Sequence, residues 1–242
     1  KIDYSNLSSL EKYILLQVYE LDLRFRDYIN SYNFHKIYVE LLNFCTLDLS
    51  AFYFDIKKDI LYCDSENSQR RNNCLEVLNV LINFLLKWFS PILAFTSEEA
   101  YQVIKNKNYK SIHLQDFPVI PLIWNNSEVK NKWVGIKKVK QVINAAIEDI
   151  RNKKIIGSSL EANVIVYLKD EYLDFIKEED LSEIFICSEA KAEPFINQND
   201  LFSLKDIEGV AVKILKAKGQ KCSRCWKILE KPCSRDICGL KN

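Results

Sequence analysis

The sequence predicts a mainly α-helical fold: a helical bundle, then a small α+β unit, then a short cysteine-rich tail. Three observations carry that prediction. Glycine is rare, five residues in 242, which favours helices and leaves little for phosphate-cradling loops. Apolar residues recur at helical spacing behind capping signals, and beyond Gly157 the period shortens towards that of strands. Four cysteines, Cys222, Cys225, Cys233 and Cys238, then crowd into a stretch with almost no core of its own.

The elements follow in order. Ser8-Ser9-Leu10-Glu11 reads as a capping box, and Leu10, Ile14, Leu15, Val18, Leu21, Leu23, Phe25 and Tyr28 continue at roughly helical spacing. A second helix begins near Asn33 and carries Phe34, Ile37, Tyr38, Leu41, Leu42 and Cys45 on one face, with a break at Asp48-Leu49-Ser50. Ser68 caps a third helix to about Phe89, apolar nearly all round, which Pro91 interrupts. Thr96-Ser97-Glu98-Glu99 reads as another capping box, starting a short helix to about Ile104. Residues 111–124 form a connection, and Ser127 opens a long basic helix to about Lys154. Asn163–Leu168, Ile184–Cys187 and Gly209–Leu215 read as strands, with a helix over Glu171–Lys177. The expected domains are 1–110, a helical bundle; 111–156, the connection and basic helix; 157–218, a small α+β unit; and 219–242, a metal-stapled finger.

Composition narrows the functional classes. Hydrophobic residues at 48% and charged residues at 28% mark a globular chain. No continuous apolar run approaches the ~18 residues that signal a membrane span, and no signal-peptide pattern opens the chain. The expectation is a soluble, cytoplasmic protein without a membrane partner. Net charge is only +1, but 130–157 carries eight Lys/Arg against two acids, and 211–242 nine against two. Such patches suit phosphate. There is no methionine, which reads as an internal piece of a longer protein. No phosphate-binding glycine motif is present, His35 and His113 are isolated, and no nucleophile–base pair stands out.

Eight cysteines without a secretion signal argue for reduced thiols. Cys45, Cys63, Cys74 and Cys187 lie apart and read as small buried hydrophobes. The tail differs. Cys222-x2-Cys225 puts two thiolates on one tight turn, and Cys233 and Cys238 complete a four-sulfur shell that suits one structural zinc ion. So short a segment has too little apolar area to fold without that staple.

The tail Gly219-Gln220-Lys221-Cys222-Ser223-Arg224-Cys225-Trp226 resembles the C-terminal zinc finger of bacterial isoleucyl-tRNA synthetases. Further stretches agree in order: Phe34–Tyr38, Asn43–Cys45, Asp48–Asp59 with Leu61–Asp64, Ser90–Glu99, and Ile156–Ala162. The resemblance spans residues from about 34 to the tail. It implies a helical bundle of the class I synthetase anticodon-binding type, a junction domain and a zinc finger. The family's H-x-G-H and K-M-S-K-S motifs are absent from this sequence. The resemblance therefore places the catalytic and editing domains, with their ATP and Mg2+, upstream of Lys1. The implied partner is tRNA(Ile), bound by a monomer whose C-terminal third is non-catalytic on its own. The family's second cysteine pair is usually C-x2-C; here position 241 is lysine, and Cys233 is the substitute ligand on offer.

Candidate RNA contacts come from cations beside aromatic residues or helix starts. Lys57 and Lys58 follow an aromatic run, and Arg70 and Arg71 open the third helix, where the dipole favours anions. Lys221, Arg224 and Lys227 surround the knuckle as expected phosphate contacts, while Trp226 either stacks on a base or covers the metal, with packing preferred. Two other readings compete: the equivalent region of a valyl- or leucyl-tRNA synthetase, and a stand-alone zinc-ribbon nucleic-acid binder.

Overall fold

The computed structural model describes residues 2–104, 109–196, 198, 200–233, 235 and 238. Two compact units emerge, one from Lys1–Tyr53 with Gln69–Ser127, the other from Phe54–Ser68 with Glu128–Asn242.

The first unit is helical. Helix α1 spans Ser9–Asn30, and its capping box forms as the sequence predicts: Glu11 N–H donates to Ser8 Oγ, and Ser8 N–H donates to Glu11 Oε2 at 2.8 Å. Helix α2 (Phe34–Asn43) buries only Ile37 and Leu41; Phe34, Tyr38 and Leu42 are exposed, so its apolar face is narrower than expected. The break expected at Asp48–Ser50 is instead a π-helical stretch, Phe44–Phe54, which runs on into α3 (Asp55–Cys63). Within it Phe44 and Leu49, five residues apart, are both buried, the spacing of an i→i+5 turn rather than of an α-helix. Helix α4 (Gln69–Phe89) follows, then α5 (Ala94–Val103). Trp88 of α4 donates its indole N–H to Asp22 of α1 at 3.0 Å and stacks edge-on against Phe25 at 5.1 Å. Asp22 is fully buried and also accepts from Arg26 Nε, so its charge is paired.

Helix α5 is not capped by Thr96, because it starts earlier, at Ala94. Glu98 serves elsewhere: its carboxylate accepts from Ser111 Oγ at 2.8 Å and from Ile112 N–H at 3.0 Å, anchoring the connection that follows.

The run Phe34–Cys63 is 30 residues long with a mean hydropathy of 1.2 in its most apolar window, enough by length and composition alone to cross a membrane. Its buried residues recur along the run, among them Ile37, Leu41, Phe44, Leu49, Phe52 and Tyr53, the pattern of a bundle helix.

The second unit is built on α6 (Ser127–Asn152), which buries Trp133, Ile136, Val139, Val142, Ile143 and Ala146. A three-stranded sheet runs in the order β2-β1-β3, with β1 Ala162–Leu168, β2 Glu189–Pro194 and β3 Val210–Lys216. Alternation along β1 buries Ala162, Val164, Val166 and Leu168. β1 is antiparallel to β3 and parallel to β2, so the link between β1 and β2 must cross over; it does so through α7 (Asp170–Ile176) and α8 (Leu181–Ile184). The strand expected at Ile184–Cys187 is therefore wrong. Ile184 ends helix α8 and Phe185–Cys187 form the turn after it, where Ile186 stands at φ +54°, a left-handed conformation no strand contains. A short buried apolar run reads alike for helix and strand.

Candidate metal centre and nucleic-acid surface

The tail begins with a two-stranded ribbon, β4 (Gln220–Lys221) against β5 (Ile228–Leu229). Gly219 enters it at φ +121°, where a Cβ would overlap the Leu229 carbonyl. Between the strands the chain turns tightly: Trp226 N–H donates to Cys222 O at 3.0 Å, and Cys222 N–H to Lys227 O at 2.9 Å. Backbone N–H groups of Cys225 and Arg224 point at the Cys222 sulfur; although burial opposes them, they help bring its pKa down to about 7. Burial pushes Cys225 up to about 12 and raises Cys238 as well.

Cys222, Cys225, Cys233 and Cys238 converge, their four sulfurs all within 4.8 Å of one another. Four thiols at that spacing form a group able to hold one metal ion, and an all-sulfur donor set with a thiolate-ready first ligand fits a tetrahedral soft-metal site. Lys241, the family's usual fourth position, lies outside the described residues.

The tail is fixed to the end of α3 at three points. Arg224 donates from Nε and Nη2 to the Tyr62 carbonyl at 3.1 and 2.7 Å. Arg235, between the last two cysteines, pairs with Asp59 at 2.5 Å and lies 3.9 Å from Asp64. Cys63 packs directly against Cys225 and Cys238. Reading Cys63 as an ordinary buried hydrophobe missed this, because its neighbours lie some 160 residues along the chain. Cys74 and Cys187 are buried as expected; Cys45 is only partly so.

The eight candidate RNA contacts divide in two. Lys57 is buried and pairs with Glu183 at 3.1 Å, so it offers no charge to a ligand. Lys227 is buried too, its ammonium donating to Ser182 Oγ at 3.1 Å. Lys57 and Lys227 depart from the sequence reading, since burial and an internal partner hold each ammonium. Arg224 donates from Nε and Nη2 to the Tyr62 carbonyl, yet its side chain is exposed. Lys58, Arg70 and Lys221 are exposed and Arg71 half-buried; Lys58 also pairs with Asp55. Trp226, expected to pack, is 60% exposed, with Lys221 Nζ 6.0 Å from its ring centroid and its own backbone left-handed at φ +63°.

Residues 11–168 match the family described as the anticodon-binding domain of tRNA ligase, and the chain belongs to that family. The chain is 46% identical over 234 residues to the isoleucine–tRNA ligase of Pelagibacter ubique, covering 97% of this chain and 25% of that protein. It is 40% identical over 229 residues to the isoleucine–tRNA ligase of Agrobacterium fabrum, covering 94% and 24%. For that of Bartonella quintana the figures are 40% over 228 residues, 94% and 23%. The chain thus spans about a quarter of the length of the curated relatives it matches.

Proposed function

We propose that this chain is the tRNA-docking region of an isoleucine–tRNA ligase, one that binds tRNA(Ile) and reads its anticodon while the ligation of isoleucine with ATP and Mg2+ takes place on a separate catalytic domain of the same polypeptide. The match of residues 11–168 to the anticodon-binding family carries the reading. The 46% identity to an isoleucine ligase favours it over a valyl or leucyl counterpart or a stand-alone zinc-ribbon binder. In this reading residues 1–110 are the anticodon-binding bundle, 111–156 the connection and basic helix, 157–218 the junction domain and 219–242 the finger. The protein works as a cytoplasmic monomer, and this region performs no catalysis.

Cys222, Cys225, Cys233 and Cys238 would hold one Zn2+ ion, whose chemistry here is structural: it cross-links the tail, which lacks a core. Trp226 is the residue this reading turns outward. Its exposed ring beside Lys221 offers a face for an unstacked base and a cation for the adjoining phosphate. Holding a tryptophan at positive φ costs about 1–2 kcal/mol, a strain found where function requires it. The tests are elemental analysis and filter binding to tRNA(Ile) transcript. About one zinc per chain is expected, lost in the Cys222→Ser, Cys225→Ser double variant. Trp226→Ala should keep the metal and weaken binding about tenfold or more, in line with ~1–3 kcal/mol per stacked base. A variant that binds tRNA as well as the parent would exclude stacking by Trp226, and a parent chain that ignores tRNA would refute the docking function.

A further inference from the structure

A tRNA-docking role leaves the acidic run 170–189 without a task. It holds eight acids against one lysine, a charge that repels phosphate. Within it lie α7, α8 and the start of β2, which border an open groove of about 620 Å3. β2 pairs with β1 alone, so among the described residues its outer edge has no strand against it. An open edge offers backbone donors and acceptors to any chain that lies along it. The helical side of the groove is apolar, formed by Leu173 and Ile176 of α7 and Leu181 of α8. Ala190 and Ala192 stand beside the buried Val164 and Val166 of β1, so they share that side, and Glu189, Lys191 and Glu193 alternate onto the other. Four acids and two lysines line the groove, and both lysines are already neutralised: Lys177 pairs with Asp174 at 2.7 Å and Lys191 with Glu189 at 3.0 Å. Glu193 is exposed and holds no ion pair among the described residues.

We propose that the open edge of β2 is a docking site for an extended, basic segment of a protein partner, which adds a strand to the sheet. Side chains of an added strand alternate between the two faces. One set, apolar, meets Leu173 and Leu181; the other, lysine or arginine, lies beside Glu189 and Glu193. In this mode main-chain hydrogen bonds supply affinity and the alternate side chains supply selectivity. A second copy of this chain fits the edge badly. Two β2 edges pairing antiparallel about Lys191 would set lysine opposite lysine and Glu189 opposite Glu193, and like charges directly opposite destabilise a pair. The proposal goes beyond the tRNA reading and does not depend on it.

The test uses the full chain and two fluorescein-labelled octapeptides, one alternating valine with lysine, the other valine with glutamate. Fluorescence anisotropy reports binding, and hydrogen exchange reports which backbone amides are covered. The valine–lysine peptide should bind saturably and slow exchange over 189–193, and the valine–glutamate peptide should do neither. Glu193→Lys should weaken the first peptide severalfold, and the Glu189→Lys, Glu193→Lys double variant about tenfold, with tRNA(Ile) binding unchanged in both. Both positions are exposed, so the fold tolerates the change. A valine–lysine peptide that fails to bind at millimolar concentration, equal binding of the two peptides, or binding that leaves exchange over 189–193 unaltered would overturn the proposal. So would protection of 189–193 by tRNA, or by self-association of the chain without peptide, since either would give the edge to another occupant.

Discussion

Lys57 of α3, Lys140 of α6 and Lys227 of the tail aim buried ammonium groups at one short segment around α8. They meet Glu183 Oε1 at 3.1 Å, the Ile184 carbonyl at 2.6 Å and Ser182 Oγ at 3.1 Å. Two of the three looked from the sequence like ligands for RNA. Charge and neighbouring aromatics are visible in a sequence; the partner that neutralises a lysine 126 residues away, as Glu183 does for Lys57, is not. Lys140 shows the cost of such placement. Burial, opposed by Asp55 and Cys187, brings its pKa down from 10.5 to about 8. From pH 8 to 10.5 the folded protein therefore releases a proton that the unfolded chain keeps, so stability from this group rises with pH across that window, by about 3 kcal/mol at ~1.4 kcal/mol per pH unit. Cys187, pushed by burial to about 12, acts with the opposite sign above pH 9. Urea titrations of the parent and Lys140→Met separate the two. The parent should gain on the variant steadily above pH 8; parallel curves would show that Lys140 remains charged in the fold.

At the level of elements, legibility followed local chemistry. The α1 capping box, the alternation of β1 and the ends of α6 all depend on residues within a few positions of each other, and each stood in the sequence. The π-stretch Phe44–Phe54 did not, since Asp48 and Ser50 carry break signals that the buried Phe44, Leu49, Phe52 and Tyr53 override through packing. The end of α8 was likewise decided by tertiary burial of Ile184, Phe185 and Cys187. In the tail, the thiol pairing was legible from spacing, whereas its anchorage to 59–64 was not. The ribbon supplies a test of how strictly that turn is built. Gly219→Ala would put a Cβ into the Leu229 carbonyl at a φ of +121°. Such a backbone overlap cannot be relieved by rotating a side chain. We expect the variant to lose zinc to a chelator faster than the parent, with helical circular dichroism preserved, because the ribbon contributes no helix. Equal release rates would mean the ribbon opens without disturbing its cysteines.

For the molecule as a whole, the proposed partner is a polyanion, and burial decides which cations can meet it. Net charge is +1, so attraction must come from local exposed groups and not from the total. Each phosphate neutralised releases counterions, so log affinity falls with log salt in proportion to the contacts made, about 0.7 per contact for single-stranded nucleic acid and 0.9 for duplex DNA. Lys221 is exposed beside Trp226, whereas Lys57 is sealed against Glu183. Lys221→Ala should therefore weaken tRNA binding and flatten the salt slope by about one. Removing Lys57 alone would leave Glu183 charged and buried, at roughly 3–5 kcal/mol of stability, and would confuse folding with binding. The informative variant replaces both members, Lys57→Met with Glu183→Leu, which removes the buried pair without stranding a charge. Its tRNA affinity and salt slope should match those of the parent. A flattened slope in this double variant, with unfolding unchanged, would place Lys57 on the RNA and contradict its burial against Glu183, while an unaltered slope in Lys221→Ala would move the binding surface away from the finger.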